Sequence, residues 1–385
     1  MPKLEADWLA AEATQRVFSL LADAGHGIYA VGGCVRNALL GENVNDVDFA
    51  TDAPPARVLE LAKLAGLKTV PTGILHGTVG VIVGGVLHEV TTFRRDVATD
   101  GRHAVVEFSD RIEEDARRRD FTMNALYVDA EGVVQDPLGG HADLVARRVR
   151  FIGDPAARIR EDYLRSLRHF RFHAWYSVPG AGFDPEAMAA IAANLDGLNG
   201  LSRERVGSEL KRLLNAPDPV QAVAGLRSSG VLAAVLPGSC DSALGNLVAV
   251  ERGQGVAADP MRRLAVMGGD GLAARLNLSL REAKRLSDVK AHGETDPGEA
   301  GYRLGAEAAL DAMLAACAVS GRPFTAETRE LIEHGAAQAF PVKAADLLPA
   351  FEGPALGKAL DGLERKWIAS GFELGREDLL ALATG

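Results

Sequence analysis

Strand-forming sequence is confined to the first part of this chain. Short runs of β-branched and other apolar residues recur up to about residue 145, as in 28–31, 79–83 and 86–93. From about residue 155 these runs stop, alanine and leucine dominate, and glycine and proline recur at helix-length intervals. The pattern predicts an α+β fold in which a head with a small mixed or antiparallel sheet and helices precedes an all-α C-terminal half.

The length of 385 residues exceeds what one ordinary hydrophobic core supports. We predict three parts: a catalytic head at 1–145, a helical neck at 146–215 and an all-helical body and tail at 216–385. The strand-like segments expected in the head are 28–31, 44–51, 79–83, 86–93, 105–108 and 125–128. Helices are expected at 7–23, at 35–40, from Pro54-Pro55 through Leu64, and from a capping box at Ser279 through His292.

The composition is that of a globular protein, with 47% hydrophobic and 24% charged residues. Three cysteines are scattered without metal-ligand spacing, which favours free thiols and a cytoplasmic location. The first residues, MPKLEADWLA, do not resemble a signal peptide. No apolar run reaches 18 residues, so we expect no membrane association, and no feature indicates an obligate protein partner.

The charge distribution is uneven along the chain. A net charge of −10 argues against general coating of nucleic acid. Residues 147–171, however, hold eight arginines against only three acidic residues. The sequence therefore predicts a local basic surface on an acidic protein.

Asp46 and Asp48 form the most informative pair of acidic residues. In an extended segment, residues at i and i+2 point to the same face, so the two carboxylates would lie side by side. Such repulsion is relieved by a divalent cation. A calcium loop is excluded because the sixth position counted from Asp46 is Thr51 rather than glycine. A solvated edge strand remains the alternative.

Gly32-Gly33 stands between a predicted strand and a predicted helix, with Arg36 following. Glycines let backbone N–H groups approach a phosphate at a helix N-terminus, where Arg36 would hold an oxygen. A plain strand–helix turn is the alternative, but the nearby Asp46/Asp48 pair favours phosphoryl or nucleotidyl transfer.

Two further segments are rich in side chains that donate hydrogen bonds. In RRDFTMNA, Arg118 and Arg119 would bind triphosphate oxygens, while Asp120 and Asn124 would contact ribose hydroxyls. A solvated charge run is the alternative for this segment.

The segment 161–171 predicts a helix with Asp162, Arg165 and Arg168 on one side and an apolar stripe opposite. A carboxylate accepts from the exocyclic amine of cytosine or adenine, and an arginine donates to the adjacent ring nitrogen. Guanine and uracil carry a carbonyl there and would be rejected. A salt-bridged surface helix is the alternative.

Taken together, residues 28–215 resemble the class II tRNA nucleotidyltransferases (CCA-adding enzymes) and their bacterial poly(A) polymerase relatives. The matching segments occur in the family's order: VGGCVRNALLG, DVDFAT, PTGILHGTV, EVTTFR, DGRHAVVEF, RRDFTMNA, DPLGGHADL and EDYLRSLRHFRF. PTGILHGTV and the intact Asp-Gly-Arg at 100–102 resemble the CCA-adding branch. Asn37 departs from the family, which commonly has Asp there.

The resemblance implies template-independent addition of CCA to the 3′ end of tRNA from CTP and ATP. It implies that two Mg²⁺ ions bind Asp46 and Asp48, with Glu89 as a candidate third carboxylate. The nucleotide-binding residues implied are Gly32, Gly33, Arg36, Arg118, Arg119, Asp120, Asn124, Asp162, Arg165, Arg168 and Arg171. Residues Arg94 to Arg102, with Asp100 inside, resemble a mobile loop that retunes the pocket between C and A. The helical C-terminal half would bind the acceptor and T-arm side of the tRNA.

Three alternatives remain open at this stage. A poly(A) polymerase would continue beyond three nucleotides, and a partial enzyme would add only CC or only A. A catalytically silent tRNA-binding module would keep the scaffold without needing both aspartates and the Asp162/Arg165 pair.

Overall fold

The computed structural model describes residues 3–99 and 104–384. The chain divides into two compact units, bounded by Met1–Glu209 with Gln221–Val235 and by Leu210–Val220 with Leu236–Gly385. Every strand in the described part of the chain lies before residue 136, and the ordered elements that follow are helical. The predicted α+β organisation is confirmed, while the three-part division at 145 and 215 stays a prediction.

The strands of the described residues are β1 (Ile28–Val31), β2 (Asp48–Thr51), β3 (Lys68–Gly73), β4 (Thr78–Val83), β5 (Val86–Thr92), β6 (Arg94–Thr99), β7 (Ala104–Phe108), β8 (Tyr127–Val128) and β9 (Val134–Gln135). Seven of them form a mixed sheet in the order β3-β4-β5-β2-β1-β8-β9. Only the β2–β5 pair in this sheet is parallel. The remaining strands, β6 and β7, form a separate two-stranded antiparallel sheet.

The helices up to residue 235 are α1 (Asp7–Ala10), α2 (Glu12–Ala22), α3 (Gly33–Leu40), α4 (Pro55–Leu64), α5 (Ile112–Arg117), α6 (Gly140–Val145), α7 (Pro155–Glu161), α8 (Leu164–Tyr176), α9 (Pro185–Ala192), α10 (Arg203–Leu214), α11 (Val220–Ser228) and α12 (Val231–Val235). Those that follow are α13 (Leu244–Gly253), α14 (Pro260–Met267), α15 (Leu272–Arg275), α16 (Leu280–Ala291), α17 (Pro297–Leu304), α18 (Ala306–Ser320), α19 (Ala326–Ala336), α20 (Pro354–Ala369) and α21 (Arg376–Thr384). No helix of the described residues is both long enough and apolar enough to cross a membrane.

Local sequence accounts for several of these elements. Gly84 and Gly85 both have positive φ, at 59° and 86°, as a tight two-residue hairpin turn between β4 and β5 requires. Pro55 occupies the first turn of α4, where its missing N–H costs nothing. The predicted capping box is present, because Ser279 and Glu282 satisfy each other's backbone N–H groups at the start of α16.

Five predicted elements differ from the structure. The helix at 7–23 is interrupted at Ala11, whose backbone is extended. The strand at 44–51 begins only at Asp48, and the strand at 125–128 only at Tyr127. The helix at 161–171 is broken at Asp162, which is extended and ends α7. The expected loop from Arg94 onward is strand β6 as far as Thr99. In each case periodicity located the segment, but tertiary pairing or a backbone break set its ends.

Separate apolar clusters stabilise the two units. The head buries Val31, Ala50 and Tyr127 from the sheet against Ala116. In the C-terminal unit, α18 supplies the centre of one cluster, with Leu314 fully buried. A second cluster there surrounds Trp367 on α20. Burial of these apolar side chains is the main contribution to the stability of each unit.

Candidate active site

The glycine turn leads directly from β1 into α3. Gly32 has φ 77° and ψ −118°, a conformation that favours glycine. A Cβ atom on Gly32 would stand 3.4 Å from Nη1 of Arg119. The turn therefore places the N-terminus of α3 beside the arginines that follow α5, as an anion-binding site requires.

Arg36 is held firmly within the head. Its side chain is buried at 7% exposure and lies 4.2 Å from the ring centroid of Tyr176. It donates to Oδ1 of Asn124 at 2.5 Å and to the hydroxyl of Tyr176 at 2.7 Å. Oδ1 of Asn37 accepts from the same guanidinium at 2.8 Å, so the residue that departs from the family's usual Asp still anchors Arg36. Burial lowers the pKa of Arg36, but an arginine stays charged at neutral pH.

The acidic residues meet at the start of β2. Asp48 is the first residue of β2 and pairs in register with Glu89 on the parallel strand β5, as predicted for Glu89. Asp46 lies in the segment before the strand, so the prediction that both aspartates belong to one strand is wrong, although Asp46 is close enough to act on the charge of Asp48. Asp48 is exposed at the surface, but partial desolvation raises the pKa of its carboxylate. Glu89 and Asp46 raise this pKa further, and Arg119 lowers it. Negative charge is therefore concentrated at the start of β2, and Arg119 offsets only part of it.

This cluster of acidic residues has the oxygen ligands that Mg²⁺ prefers. Within residues 3–99 and 104–384, no three His, Cys, Asp or Glu side chains converge closely enough to form a complete metal-binding group. Mg²⁺ commonly binds through one or two carboxylates, with waters and substrate phosphates completing the octahedron. The donor set therefore fits a Mg²⁺ ion that arrives with a phosphate-bearing substrate.

Asp115 is a fully buried anchor for two arginines that the sequence placed in the site. Its carboxylate accepts from Arg118 at 2.6 Å and from Arg119 at 2.9 Å. The hydroxyl of Tyr127 donates to the same carboxylate at 2.8 Å. Sequence reasoning missed Asp115, although its spacing of three and four residues from the arginines is a recognisable helical signal.

Asp115 predicts a pH-dependent stability. Burial alone would raise its pKa, but Arg119 and Arg118 outweigh burial and hold it at about 2. The stabilisation is therefore complete above the unfolded value of about 3.9 and is lost as pH falls through about 2. Asp115→Asn should lower the free energy of unfolding at pH 7 by about 3–5 kcal/mol, because two arginines lose a buried partner.

Urea unfolding of the wild type and Asp115→Asn at several pH values measures this effect. The difference should be constant from pH 7 to 5 and shrink as the pH falls from about 4 towards 2. Asp110→Asn, at an exposed aspartate, is the control and should leave stability unchanged. A pH-independent difference would contradict the assigned charge state of Asp115.

The predicted ribose-contacting residues form one network with α8. Asp120 accepts from Nδ2 of Asn124 at 2.8 Å and from Nε of Arg168 at 2.7 Å. Burial raises the pKa of Asp120, but the charge of Arg168 and the hydrogen bonds from Arg168, Asn124 and the N–H of Phe121 together outweigh burial and lower this pKa. Because Asn124 also accepts from Arg36, the network joins α3, the 120–124 turn and α8.

Arg171 and Arg168 share a partner that the sequence did not reveal. Nε of Arg171 donates to Glu209 at 2.6 Å, and Nη1 of Arg168 lies 3.7 Å from the same carboxylate. Glu209 is on α10, 38 residues from Arg171 along the chain. No local pattern could have paired them.

Asp162 and Arg165 flank the start of α8 rather than sharing a helical stripe. Oδ1 of Asp162 accepts from the N–H of Leu164 at 3.1 Å, and Oδ2 accepts from Arg205 at 2.6 Å. Arg165 donates to Glu161 at 2.6 Å and to the carbonyl oxygen of Arg118 at 3.0 Å. The predicted continuous helix is therefore wrong, and a residue on α10, Arg205, was missed as the partner of Asp162.

The segment predicted as a mobile loop falls partly outside the described residues. Arg94 begins β6, and its neighbour Arg95 forms an ion pair with Glu107 on β7 at 2.8 Å. Asp100 and Arg102 lie outside the described residues. Their role in retuning the pocket stays a prediction.

Family models match two parts of the chain. The Poly A polymerase head domain matches residues 28–150, and a model described as the probable RNA and SrmB-binding site of polymerase A matches residues 182–241. The mouse mitochondrial CCA tRNA nucleotidyltransferase 1 is 32% identical over 400 residues, covering 96% of this chain and 89% of that protein. The CCA-adding enzyme of Levilactobacillus brevis is 39% identical over 222 residues, covering 57% of this chain and 54% of the relative.

Solved structures extend the similarity over the whole length. The Bacillus stearothermophilus CCA-adding enzyme in complex with CTP superposes with a TM-score of 0.75 at 29% identity, covering 97% of this chain and 96% of that one. The Thermotoga maritima CCA-adding enzyme complexed with tRNA-CCA has a TM-score of 0.70 at 18% identity, covering 100% and 98%, and bears on the fold alone.

The head fold and the similarity to named nucleotidyltransferases place this chain among the nucleotidyltransferases. More narrowly, given the similarity over nearly the full length of the mouse enzyme, the chain belongs to the CCA tRNA nucleotidyltransferase family.

Proposed function

We propose that the chain adds C, C and A stepwise to the 3′ end of tRNA, using CTP and ATP and releasing pyrophosphate. The observation that carries the proposal is the meeting of Asp48 and Glu89 on adjacent strands, near Arg119. Carboxylates beside arginine donors suit a metal-bound triphosphate. The names of the mouse and Levilactobacillus relatives and the CTP complex of the Bacillus enzyme support this activity.

Asp46 and Asp48 would hold two Mg²⁺ ions, with Glu89 as the candidate third carboxylate. Bound Mg²⁺ supplies Lewis acidity, which lowers the pKa of the attacking 3′-hydroxyl and stabilises the pyrophosphate leaving group. The raised pKa of Asp48 supports the assignment, because a cation would relieve the crowding of negative charge there.

The arginines and the glycine turn position the triphosphate. The first N–H groups of α3 at Gly33, with Arg118 and Arg119, would bind phosphate oxygens, and Asp115 fixes the two arginines. Asp120 and Asn124 would contact ribose through the same network that holds Arg36. Their contribution is orientation and charge stabilisation, which account for most catalysis of phosphoryl transfer.

Asp162 and Arg165 would read the base. The Asp162 carboxylate would accept from the amine of cytosine or adenine, and Arg165 would donate to the neighbouring ring nitrogen. Arg205 donates to Asp162, and Glu161 accepts from Arg165, so both side chains are fixed in place. Arg168 and Arg171 would support phosphate or base contacts, and the segment from Arg94 to Arg102 would retune the pocket between C and A.

The C-terminal half would bind the acceptor and T-arm side of the tRNA. We also infer a cytoplasmic location from the scattered free cysteines, of which Cys34 is buried and Cys240 exposed. The mouse relative is named as a mitochondrial protein, so fractionation of the source cells tests this inference directly.

The test of function is incubation with tRNA lacking its CCA end, labelled CTP and ATP, and Mg²⁺. Three added nucleotides in the order C, C, A are expected, with none in EDTA. Extension beyond three nucleotides would identify a poly(A) polymerase, and arrest after CC or addition of A alone would identify a partial enzyme. The absence of Mg²⁺-dependent incorporation would refute the proposal.

Replacing Arg165 by alanine should weaken selection against UTP and GTP. We expect misincorporation relative to CTP to rise about 10- to 100-fold, because one two-point contact to a base edge discriminates by about 1–3 kcal/mol. Single-nucleotide incorporation with each of the four triphosphates measures the ratio. The exposed Arg160 provides the control Arg160→Ala, which should keep wild-type selection. Unchanged selection in Arg165→Ala would exclude Arg165 as the base-reading residue.

A further inference from the structure

Arg147, Arg148 and Arg150 line a cleft that the transfer reaction does not use. The cleft has a volume of about 440 Å³ and lies within the N-terminal unit. His169 and His173 of α8 line its floor together with Phe183. Ligand-binding clefts typically enclose about 300–1,000 Å³, so this one is large enough for a small organic ligand.

The cleft lies on a different side of α8 from the network around Asp120. His169 and His173 are four residues apart and therefore follow one stripe of the helix. Arg171 is two residues from each of them, which places it about 200° around the axis. Because Arg171 pairs with Glu209, the cleft and that ion pair occupy opposite sides of α8.

Three arginines and one carboxylate, Asp184 at the N-cap of α9, line the cleft. The buried Asp143 pairs with Arg150 at 2.8 Å and lies 3.7 Å from Arg148. Arg147 forms no ion pair within the described part of the chain. Its φ of 50° is the left-handed conformation that ends α6, because the N–H groups of Arg147 and Arg148 bond back to the carbonyl oxygens of Leu144 and Asp143. An anion would relieve the repulsion among the three arginines.

The floor of the cleft contains aromatic rings and one polar ring, that of His169, whose nitrogens have no hydrogen-bond partner among the described residues. His173 lies 4.1 Å from the ring centroid of Phe183 at an interplanar angle of 32°. His169 is 1% exposed. A buried polar group of this kind is normally satisfied by a ligand or a water molecule. A planar base on aromatic rings is a common mode of nucleotide binding.

We propose that this cleft binds a nucleotide unit at a second site, separate from the transfer site. The phosphate lies against Arg147 and Arg148, and the base stacks near His173 and Phe183. The nucleotide is either a free nucleoside monophosphate or one residue of an RNA strand, since both present the same phosphate and base.

Calorimetric titration of the full chain with AMP tests the proposal, with saturating CTP and Mg²⁺ present to occupy the transfer site. AMP should still bind, and Arg147→Glu with Arg148→Glu should weaken that binding at least about 10-fold, the effect of losing about 1.4 kcal/mol. Arg16→Glu, at an exposed arginine of α2, is the control and should bind AMP normally. A short single-stranded RNA with a 5′-phosphate is the second ligand.

Arg147→Gly separates ligand binding from folding. Glycine adopts φ 50° without strain, so this variant should melt at or above the wild-type temperature and still bind AMP at least about 10-fold more weakly. Binding of the RNA but not of AMP, with the same dependence on Arg147 and Arg148, would assign the nucleotide to an RNA strand. The proposal is overturned if neither ligand shows binding that depends on these arginines, or if CTP displaces both ligands completely.

Discussion

Replacement of Asp48 by alanine is expected to lower the rate of CMP transfer to tRNA at least about a thousandfold, equivalent to about 4 kcal/mol of transition-state stabilisation. Asp48 starts β2 beside Glu89, where its carboxylate is the proposed ligand of the catalytic Mg²⁺. Without this ligand the site would hold Mg²⁺ more weakly and would lose the Lewis acidity that the ion supplies. Asp46→Ala should have an effect of similar size.

A stability measurement distinguishes a metal role for Asp48 from a structural one. Its pKa is raised in the folded protein, so the ionised carboxylate is less favourable there than in the unfolded chain. Asp48→Asn should therefore keep or raise the melting temperature at pH 7 without Mg²⁺, while transfer activity is lost. Asp23→Ala, an exposed control, should change neither property. Residual activity above about a tenth of wild type in Asp48→Ala would refute the metal assignment.

The sequence predicted those parts of the fold and site that depend on neighbouring residues. The Gly84-Gly85 hairpin, Pro55 in the first turn of α4 and the Ser279 capping box follow from local backbone requirements. Glu89 was proposed as a third carboxylate from the family resemblance, and the pairing of β2 with β5 places it in register with Asp48.

Partners supplied by distant elements could not be predicted. Arg205 and Glu209 are both on α10. They bind Asp162 and Arg171, each of which is more than 30 residues away in the sequence. Hydrogen-bond geometry at such positions is fixed by tertiary packing, which periodicity does not encode. At the break in the predicted helix, the extended Asp162 accepts from the nearby N–H of Leu164 and also from Arg205, and the second of these partners is distant in sequence.

In the C-terminal unit, two buried arginines depend on one buried carboxylate. Glu251 accepts from Arg262 at 2.8 Å and from Arg263 at 2.7 Å, and all three side chains are at most 3% exposed. Arg262 also contacts Asp311 at 2.6 Å, whereas Arg263 donates to the carbonyl oxygen of Leu214 at 2.6 Å. Desolvating these charges is tolerable only because nearly every donor has an acceptor.

Glu251→Ala should therefore destabilise the C-terminal unit by about 3–5 kcal/mol, since it leaves Arg262 and Arg263 buried with one carboxylate fewer. Hydrogen exchange of the α14 and α18 amides reports the stability of this unit separately. For amides that exchange through unfolding of the unit, the protection factor should fall by about 100-fold to several thousandfold. Glu330→Ala, at an exposed residue of α19, should leave protection unchanged. A loss below about 1 kcal/mol in Glu251→Ala would mean that Asp311 and the backbone carbonyls suffice for both arginines, and that Glu251 is not the centre of the network.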